Sequence, residues 1–90
     1  DGPLYVTLSP SDQTYTREER SNIDVTCDDH CWVCTYSWTG PYSWVSNGPR
    51  LLITHLGRVH HGQFTCSVTN IKSNQHTSIS VTVNVLRMYD

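Results

Sequence analysis

Charge is scarce in this sequence. Only 16% of its 90 residues are charged, against about a quarter in an average protein. The net charge is −2, and the five arginines and the one lysine, Lys72, are scattered along the chain. No basic stripe is therefore available to hold a phosphate backbone, and we do not expect nucleic acid to be a partner.

Long apolar runs are missing too. No segment approaches the roughly 20 apolar residues that cross a bilayer, so we expect no direct membrane insertion. The chain opens on DGPLYV rather than on a secretion signal, as a mature secreted protein or a fragment of a longer one would. Helical periodicity is also absent, because no segment keeps apolar residues at i, i+3, i+4 and i+7 for more than a turn.

The sequence has a period of two instead. In several short segments apolar residues alternate with Thr, Ser, Asp or Asn, which is typical of half-buried antiparallel strands. The alternating sets are Leu4, Val6 and Leu8; Ile23, Val25 and Cys27; Tyr36 and Trp38; Leu51 and Ile53; Phe64, Cys66 and Val68; and Ile79, Val81, Val83 and Val85. Turn formers separate them. The pattern predicts a single all-β domain, a sandwich or a barrel, over residues 1–90.

Catalytic constellations are not found. The sequence has no G-x-S-x-G, no H-E-x-x-H and no glycine-rich phosphate loop, and its two adjacent glutamates, Glu18 and Glu19, fall in a predicted turn. We therefore expect no catalytic residues, no cofactor and no enzymatic activity.

Four cysteines are present, and Cys31 and Cys34 form a C-x-x-C. Four cysteines allow three disulfide connectivities. A redox pair would need a helix N-terminus to lower the thiol pKa, and the alternating TYSWTG that follows Cys34 is not helical. Zinc could use His30 and, if the fold brings it near, His60 or His61, but the spacing lacks a second close ligand pair. We therefore expect no metal at this pair.

The remaining cysteines resemble a known pattern. Trp38 follows Cys27 in the next predicted strand, and Cys66 comes two residues after the aromatic Phe64 and four after Gly62. This set resembles the immunoglobulin domain, in which a disulfide joins strands B and F and a strand-C tryptophan packs on it. The segment LLITHLGRVHHGQFTC is similar to the family's passage from strand E to strand F.

The resemblance implies a two-sheet Greek-key sandwich of seven or eight strands. It implies the disulfide Cys27–Cys66, leaves Cys31–Cys34 as a second bridge in the B–C loop, and places Trp38, Phe64 and Gly62 in the core. The segment between Trp38 and Cys66 is too short for a variable-type domain, so we expect a C2-like or I-like one. The expected strands are A and A′ at 4–8 and 13–17, B at 22–27, C at 34–39, C′ or D at 43–46, E at 50–55, F at 63–69 and G at 76–86.

Two positions depart from the family pattern. His60 stands where an acidic residue usually pairs with a basic side chain, and Phe64 lacks the hydroxyl of the tyrosine corner. A missing hydrogen bond of this kind costs about 1 kcal/mol, which the fold can absorb.

Candidate binding residues lie in the loops. Trp32 sits inside the C-x-x-C, and Tyr42 and Trp44 lie on the C–C′ segment. Aromatic residues dominate the energetics of protein interfaces, but Trp32 could equally cap the core and Trp44 could fold beneath the C′ strand. The five histidines are either solvated loop residues or the basis of pH-dependent adhesion.

Two functions fit these features. The first is a recognition or adhesion domain of a cell-surface receptor, which binds a protein ligand or its own copy. The second is a structural spacer in a tandem immunoglobulin array, because the junction MYD–DGPLYV, joined around a shared Asp, is similar to the short links between such domains. Both predict an extracellular or cell-surface location and neighbouring immunoglobulin domains. The lack of an N-x-S/T sequon mildly favours contact through the sheet faces.

Overall fold

The structure is a computed structural model, which describes residues 6–28 and 31–87. Eight strands follow one another in this part of the chain, and two single-turn 3₁₀ helices, Pro41–Ser43 and Arg58–His60, lie in its connections. The strands are β1 Thr7–Ser9, β2 Thr14–Glu18, β3 Ile23–Asp28, β4 Cys34–Thr39, β5 Val45–Asn47, β6 Arg50–Ile53, β7 Gly62–Asn70 and β8 His76–Leu86.

The strands form two sheets. One has three strands in the order β1-β3-β6, and the other has five in the order β2-β8-β7-β4-β5. Neighbouring strands are antiparallel, except that β2 runs parallel to β8. The opening segment therefore crosses between the sheets, from β1 to β2, through the cis peptide Ser9–Pro10. An all-β immunoglobulin-like sandwich of eight strands, as the resemblance implied, is confirmed.

The predicted bounds are met most closely in the strands that carry the cysteine pattern. β4 and β8 have the predicted limits, and β3 and β7 differ by one residue at each end. The predicted strand A at 4–8 lies partly outside the described residues, and β1 is 7–9. The segment predicted as C′ or D is C′, because β5 pairs with β4, and residues 54–61 contain no strand.

The core fills the space between the two sheets. Because side chains alternate along a strand, the apolar member of each pair turns inward. The buried residues are Leu8, Tyr15, Ile23, Val25, Cys27, Trp38, Leu51, Ile53, Leu56, Phe64, Cys66, Val68, Val81 and Val83. Two members lie outside the alternating sets that the sequence gives: Tyr15 is the one apolar residue in the strand TYTRE, and Leu56 follows the end of β6.

The disulfide Cys27–Cys66 joins the two sheets across this core. Closing a loop of this length removes chain entropy from the unfolded state, worth about 4 kcal/mol in the loop-entropy model. Trp38 lies in the same layer, opposite Cys66 in the ladder between β4 and β7, and is fully buried.

The passage from β5 to β6 takes the chain from one sheet to the other. Gly48 has φ +106, a value that glycine adopts without steric cost, and the Asn47-Gly48 pair makes no hairpin. The carbonyl of Pro49 accepts hydrogen bonds from Trp38 Nε1 at 2.9 Å and from the Cys27 amide at 2.8 Å. The buried indole N–H is thereby satisfied, which removes the cost of burying it unpaired.

Candidate binding surfaces

The short disulfide Cys31–Cys34 forms at the start of β4, and Asp29 and His30 beside it lie outside the described residues. Trp32, inside the ring, is 99% exposed. Trp32 therefore does not cap the core, and its side chain is exposed as a binding residue would be. A four-residue covalent ring holds the chain on both sides of Trp32.

The loop between β7 and β8 lies next to this ring. The Ile71 amide donates to the Val33 carbonyl at 3.0 Å, and Asn70 Nδ2 lies 3.7 Å from Cys31 Sγ. Ile71 is 65% exposed. We call the surface formed by Trp32, Val33 and Ile71 the tryptophan end of the sandwich.

Trp44 has different surroundings. It is half-buried, and its ring meets Phe64 edge to face with the centroids 5.3 Å apart. Such an arrangement is favourable for aromatic pairs. Of the two readings for Trp44, the structure has the one in which it packs under the short strand.

The corner around Phe64 explains how the fold tolerates a phenylalanine there. Phe64 is completely buried. A Cβ atom on Gly40 would come within 2.4 Å of its ring, and one on Gly62, which has φ +147, would come within 2.8 Å of Pro41. Gly40 therefore lies directly against the Phe64 ring, and close apolar packing holds this buried ring in the absence of a hydroxyl.

Tyr42 stands at the tip of the β4–β5 hairpin and is 84% exposed. The Trp44 amide donates to the Pro41 carbonyl at 3.1 Å, which makes Pro41–Trp44 a tight turn. Its two central residues have positive φ, 55° for Tyr42 and 62° for Ser43. Asn and Gly are the usual choices at such positions, so this turn carries strain.

Trp32 and Tyr42 are not brought together. The six-residue strand β4 runs between their loops, and a strand of that length spans about 20 Å. The three candidate binding residues therefore occupy three environments: Trp32 at one end of the sandwich, Tyr42 at the other end and Trp44 against the core.

The histidines of the β6–β7 connection make local contacts. His60 Nδ1 accepts a hydrogen bond from the Gly57 amide at 2.9 Å, and His61 Nδ1 accepts one from the Val85 amide at 3.0 Å. His60 thus closes its own turn, in place of the ion pair that an acidic residue makes in the family. The pH-dependent adhesion suggested for the histidines stays a prediction.

Three arginines that are scattered in the sequence lie at the end of the sandwich that carries Tyr42. The Arg20 amide donates to the Leu56 carbonyl at 2.8 Å, and the Glu19 amide donates to the Leu86 carbonyl at 2.9 Å. These bonds set Arg20 beside the Leu56–Arg58 segment and bring Arg87 to the same end. We call the surface formed by Arg20, His55, Arg58 and Arg87, all exposed, the basic end.

One ion pair crosses the outer face of the three-stranded sheet. Arg50 Nε and Nη2 donate to the two Asp24 carboxylate oxygens at 2.8 and 2.7 Å. These hydrogen bonds lower the pKa of the Asp24 carboxyl and raise that of Arg50. Both side chains are about half exposed, so this pair belongs to the surface of β3 and β6.

The outer face of the five-stranded sheet is rich in hydroxyl groups. Thr65 Oγ1 lies 2.9 Å from Ser80 Oγ, Thr69 Oγ1 lies 3.1 Å from His76 Nδ1, and Asn84 donates to Thr16. Polar side chains of neighbouring strands therefore hydrogen-bond to one another. Among residues 6–28 and 31–87, no aromatic side chain stands on this face as an anchor of the kind that dominates protein interfaces.

Neither a metal cluster nor a membrane span is found in the part of the chain that the structure describes. No group of three His, Cys, Asp or Glu side chains there is placed to hold a metal ion. No helix in the described ranges is long and apolar enough to cross a membrane.

Comparison with solved structures agrees with the sheet topology. The chain is similar to the Ig-like domain of human leucine-rich repeat-containing protein 4, with a TM-score of 0.73 and 17% identity over 100% of this chain and 93% of that one. It is also similar to DIP-gamma IG1+IG2, with a TM-score of 0.71 and 16% identity over 97% of this chain and 49% of that one.

Both likenesses concern the fold: the chain is an immunoglobulin-like domain. It spans about half of the length of the DIP-gamma IG1+IG2 chain. No family model matches the sequence, and no curated protein matches it either.

Proposed function

We propose that this domain is an extracellular recognition module, which binds a protein ligand without catalysis through its tryptophan end. The observation that carries the proposal is the 99% exposure of Trp32 on a loop closed by a disulfide. A tryptophan left wholly in water loses its hydrophobic stabilisation in the folded monomer. Covering it with a partner recovers that free energy.

The covalent ring supports this role. Binding orders the loops of an interface, and each side chain that must be immobilised costs about 0.5–1.5 kcal/mol. The Cys31–Cys34 bridge restricts the loop before a partner arrives, so less ordering is left for the binding step. Ile71 beside the ring adds a second exposed apolar side chain to the same surface.

The two disulfides also support the location. Disulfides persist in oxidising compartments, chiefly outside the cell, and each of the cysteines here is bonded. The neighbours in solved structures are immunoglobulin-like domains, one of them in a two-domain chain. We therefore include further immunoglobulin domains in the same protein, and contact with a second copy, among the proposed partners.

The test uses cell binding by the multimerised domain. Wild type is compared with W32S, which removes the exposed indole, and with L52T, which removes an exposed apolar side chain from the outer face of the three-stranded sheet. We expect W32S to stain cells less than wild type and L52T to stain them equally. Protease treatment of the cells should abolish the wild-type signal, because the ligand is proposed to be a protein.

A structural spacer is the rival function. It predicts that no cell type binds the wild-type domain, or that W32S binds as well as wild type. Either result, obtained with W32S folded as judged by its unfolding curve, contradicts the proposal.

A further inference from the structure

Cations and backbone strain coincide at the basic end. Among the described residues, five non-glycine positions have positive φ, and four of them, Arg20, Tyr42, Ser43 and His55, lie at this end of the sandwich. Such conformations are energetically unfavourable, and they cluster at functional sites. Because most of these strained positions lie at one end of the sandwich, the side chains at that end are candidates for binding a ligand.

Arg20 shows the conflict between stability and side-chain choice most clearly. The Ser21 amide donates to the Glu18 carbonyl at 3.2 Å, so Glu18–Ser21 is a turn with Arg20 at its third position. Arg20 has φ +74 there, where glycine is the residue that such a turn favours. A long cationic side chain therefore occupies a position at which glycine, which has no side chain, would make the turn more stable.

The guanidinium groups at this end are available. Within residues 6–28 and 31–87, none of Arg20, Arg58 and Arg87 has an ion-pair partner, in contrast to Arg50. Glu18 and Glu19 are the carboxylates nearby. Glu18, the last residue of β2 and the first of that turn, continues the outward alternation of Thr14 and Thr16, and Glu19 already has a partner.

An exposed aromatic ring flanks these cations. The two 3₁₀ turns, Pro41–Ser43 and Arg58–His60, lie beside each other. Tyr42, 84% exposed, is thus next to the turn that contains Arg58. A tyrosine offers an apolar ring face together with a hydroxyl for hydrogen bonding, which suits a sugar ring better than a bare anion.

We propose that the basic end, together with Tyr42, binds a sulfated polysaccharide. Guanidinium groups recognise sulfate as they do phosphate, through paired N–H donors, and the Tyr42 ring contacts the pyranose between the sulfates. The surface lies at the opposite end of the sandwich from Trp32. One molecule could then hold a polysaccharide and a protein ligand simultaneously.

The experiment measures heparin affinity by calorimetry at low salt. The double variant R58Q/R87Q removes two charges from the basic end, and the matched control R50Q/K72Q removes two charges elsewhere, from the start of β6 and from the β7–β8 loop. We expect R58Q/R87Q to weaken binding on the order of five- to tenfold, since exposed charged contacts contribute about 0.2–1 kcal/mol each. The control should stay within about twofold, and added salt should weaken the wild type.

A further variant, R20G, separates a binding role from a structural one. Glycine relieves the positive φ of the turn, so R20G should have a higher unfolding midpoint than wild type and a lower heparin affinity. A residue kept for stability would not give that combination.

Several results would overturn the proposal: no heparin binding by the wild type at low salt, equal losses in the two double variants, or equally tight binding of desulfated heparin, single-stranded DNA or polyglutamate. The outcome is separable from that of the proposed function, because W32S should keep its full heparin affinity and R58Q/R87Q should keep its protease-sensitive cell binding.

Discussion

Trp32 and Trp44 lie in the loops before and after β4 and have opposite surroundings. The Trp32 side chain is almost fully exposed to solvent, whereas the Trp44 ring packs edge to face on the buried Phe64. The free energy of burial follows the area removed from water. The two residues should therefore differ sharply in what they contribute to the stability of the isolated domain.

Replacement of each tryptophan by serine measures that difference. W44S should lower the free energy of unfolding by about 2–3 kcal/mol, because it leaves a cavity beside Phe64. W32S should change it by less than about 0.5 kcal/mol. Chemical denaturation followed by circular dichroism gives both values. Equal losses would mean that Trp32 is packed in solution.

Gly40 is required by a close approach rather than by its backbone angle. A Cβ atom there would press on the Phe64 ring, which is fully enclosed and cannot move aside. G40A should therefore lower the free energy of unfolding by about 1–3 kcal/mol, as overpacked cores do. The control is G57A, since a Cβ atom on Gly57 would meet nothing within 4 Å. Tolerance of G40A in the same assay would contradict this close packing of β4 against the Phe64 ring.

At the scale of elements, the β4–β5 hairpin trades stability for an exposed tyrosine. The Tyr42–Ser43 pair occupies two positive-φ positions at which Asn and Gly are favoured. Y42N/S43G should therefore raise the free energy of unfolding by about 1 kcal/mol, measured by denaturant titration. A lower stability would show that the tyrosine makes contacts that stabilise the turn.

The Asp24–Arg50 pair links β3 to β6 and gives a defined pH response. Hydrogen bonds from Arg50 lower the pKa of Asp24 below its ordinary value of 3.8. The ion pair therefore stabilises the folded state fully at pH values above the ordinary pKa of 3.8. This stabilisation is lost as the pH falls through the lowered pKa of Asp24. Wild type should exceed D24N in stability at neutral pH, and the difference should shrink towards about pH 2. A difference that is constant with pH would contradict the assignment to this carboxylate.

For the whole molecule, the cysteine pattern and the alternation of apolar and polar residues were enough to predict the fold. Cys27, Trp38 and Cys66 fix which strands face each other, and alternation decides which side chains turn inward. Tyr15 was missed because one apolar residue gives no period. The different fates of Trp32 and Trp44 could not be read either, since both are aromatic residues in loops and only the contact with Phe64 distinguishes them.

The basic end was hidden from the sequence for a similar reason. Arg20, Arg58 and Arg87 lie far apart along the chain, and they come to one end of the sandwich only because the β2–β3 turn, the β6–β7 connection and the end of β8 share that end. Likewise, the strain at Arg20 and Tyr42 depends on turn types that the tertiary structure imposes. The distribution of charge along the sequence therefore did not predict where the fold places these charges.

The exposed Trp32 on its disulfide-closed loop is the proposed binding anchor of the whole domain. The most direct test is the affinity of W32S for cells that bind the wild-type domain, with the unfolding curve of the same sample as a control. We expect at least a tenfold loss of affinity, about 1.4 kcal/mol, with unchanged stability. Unchanged affinity in a folded W32S would contradict the role of Trp32 as an anchor.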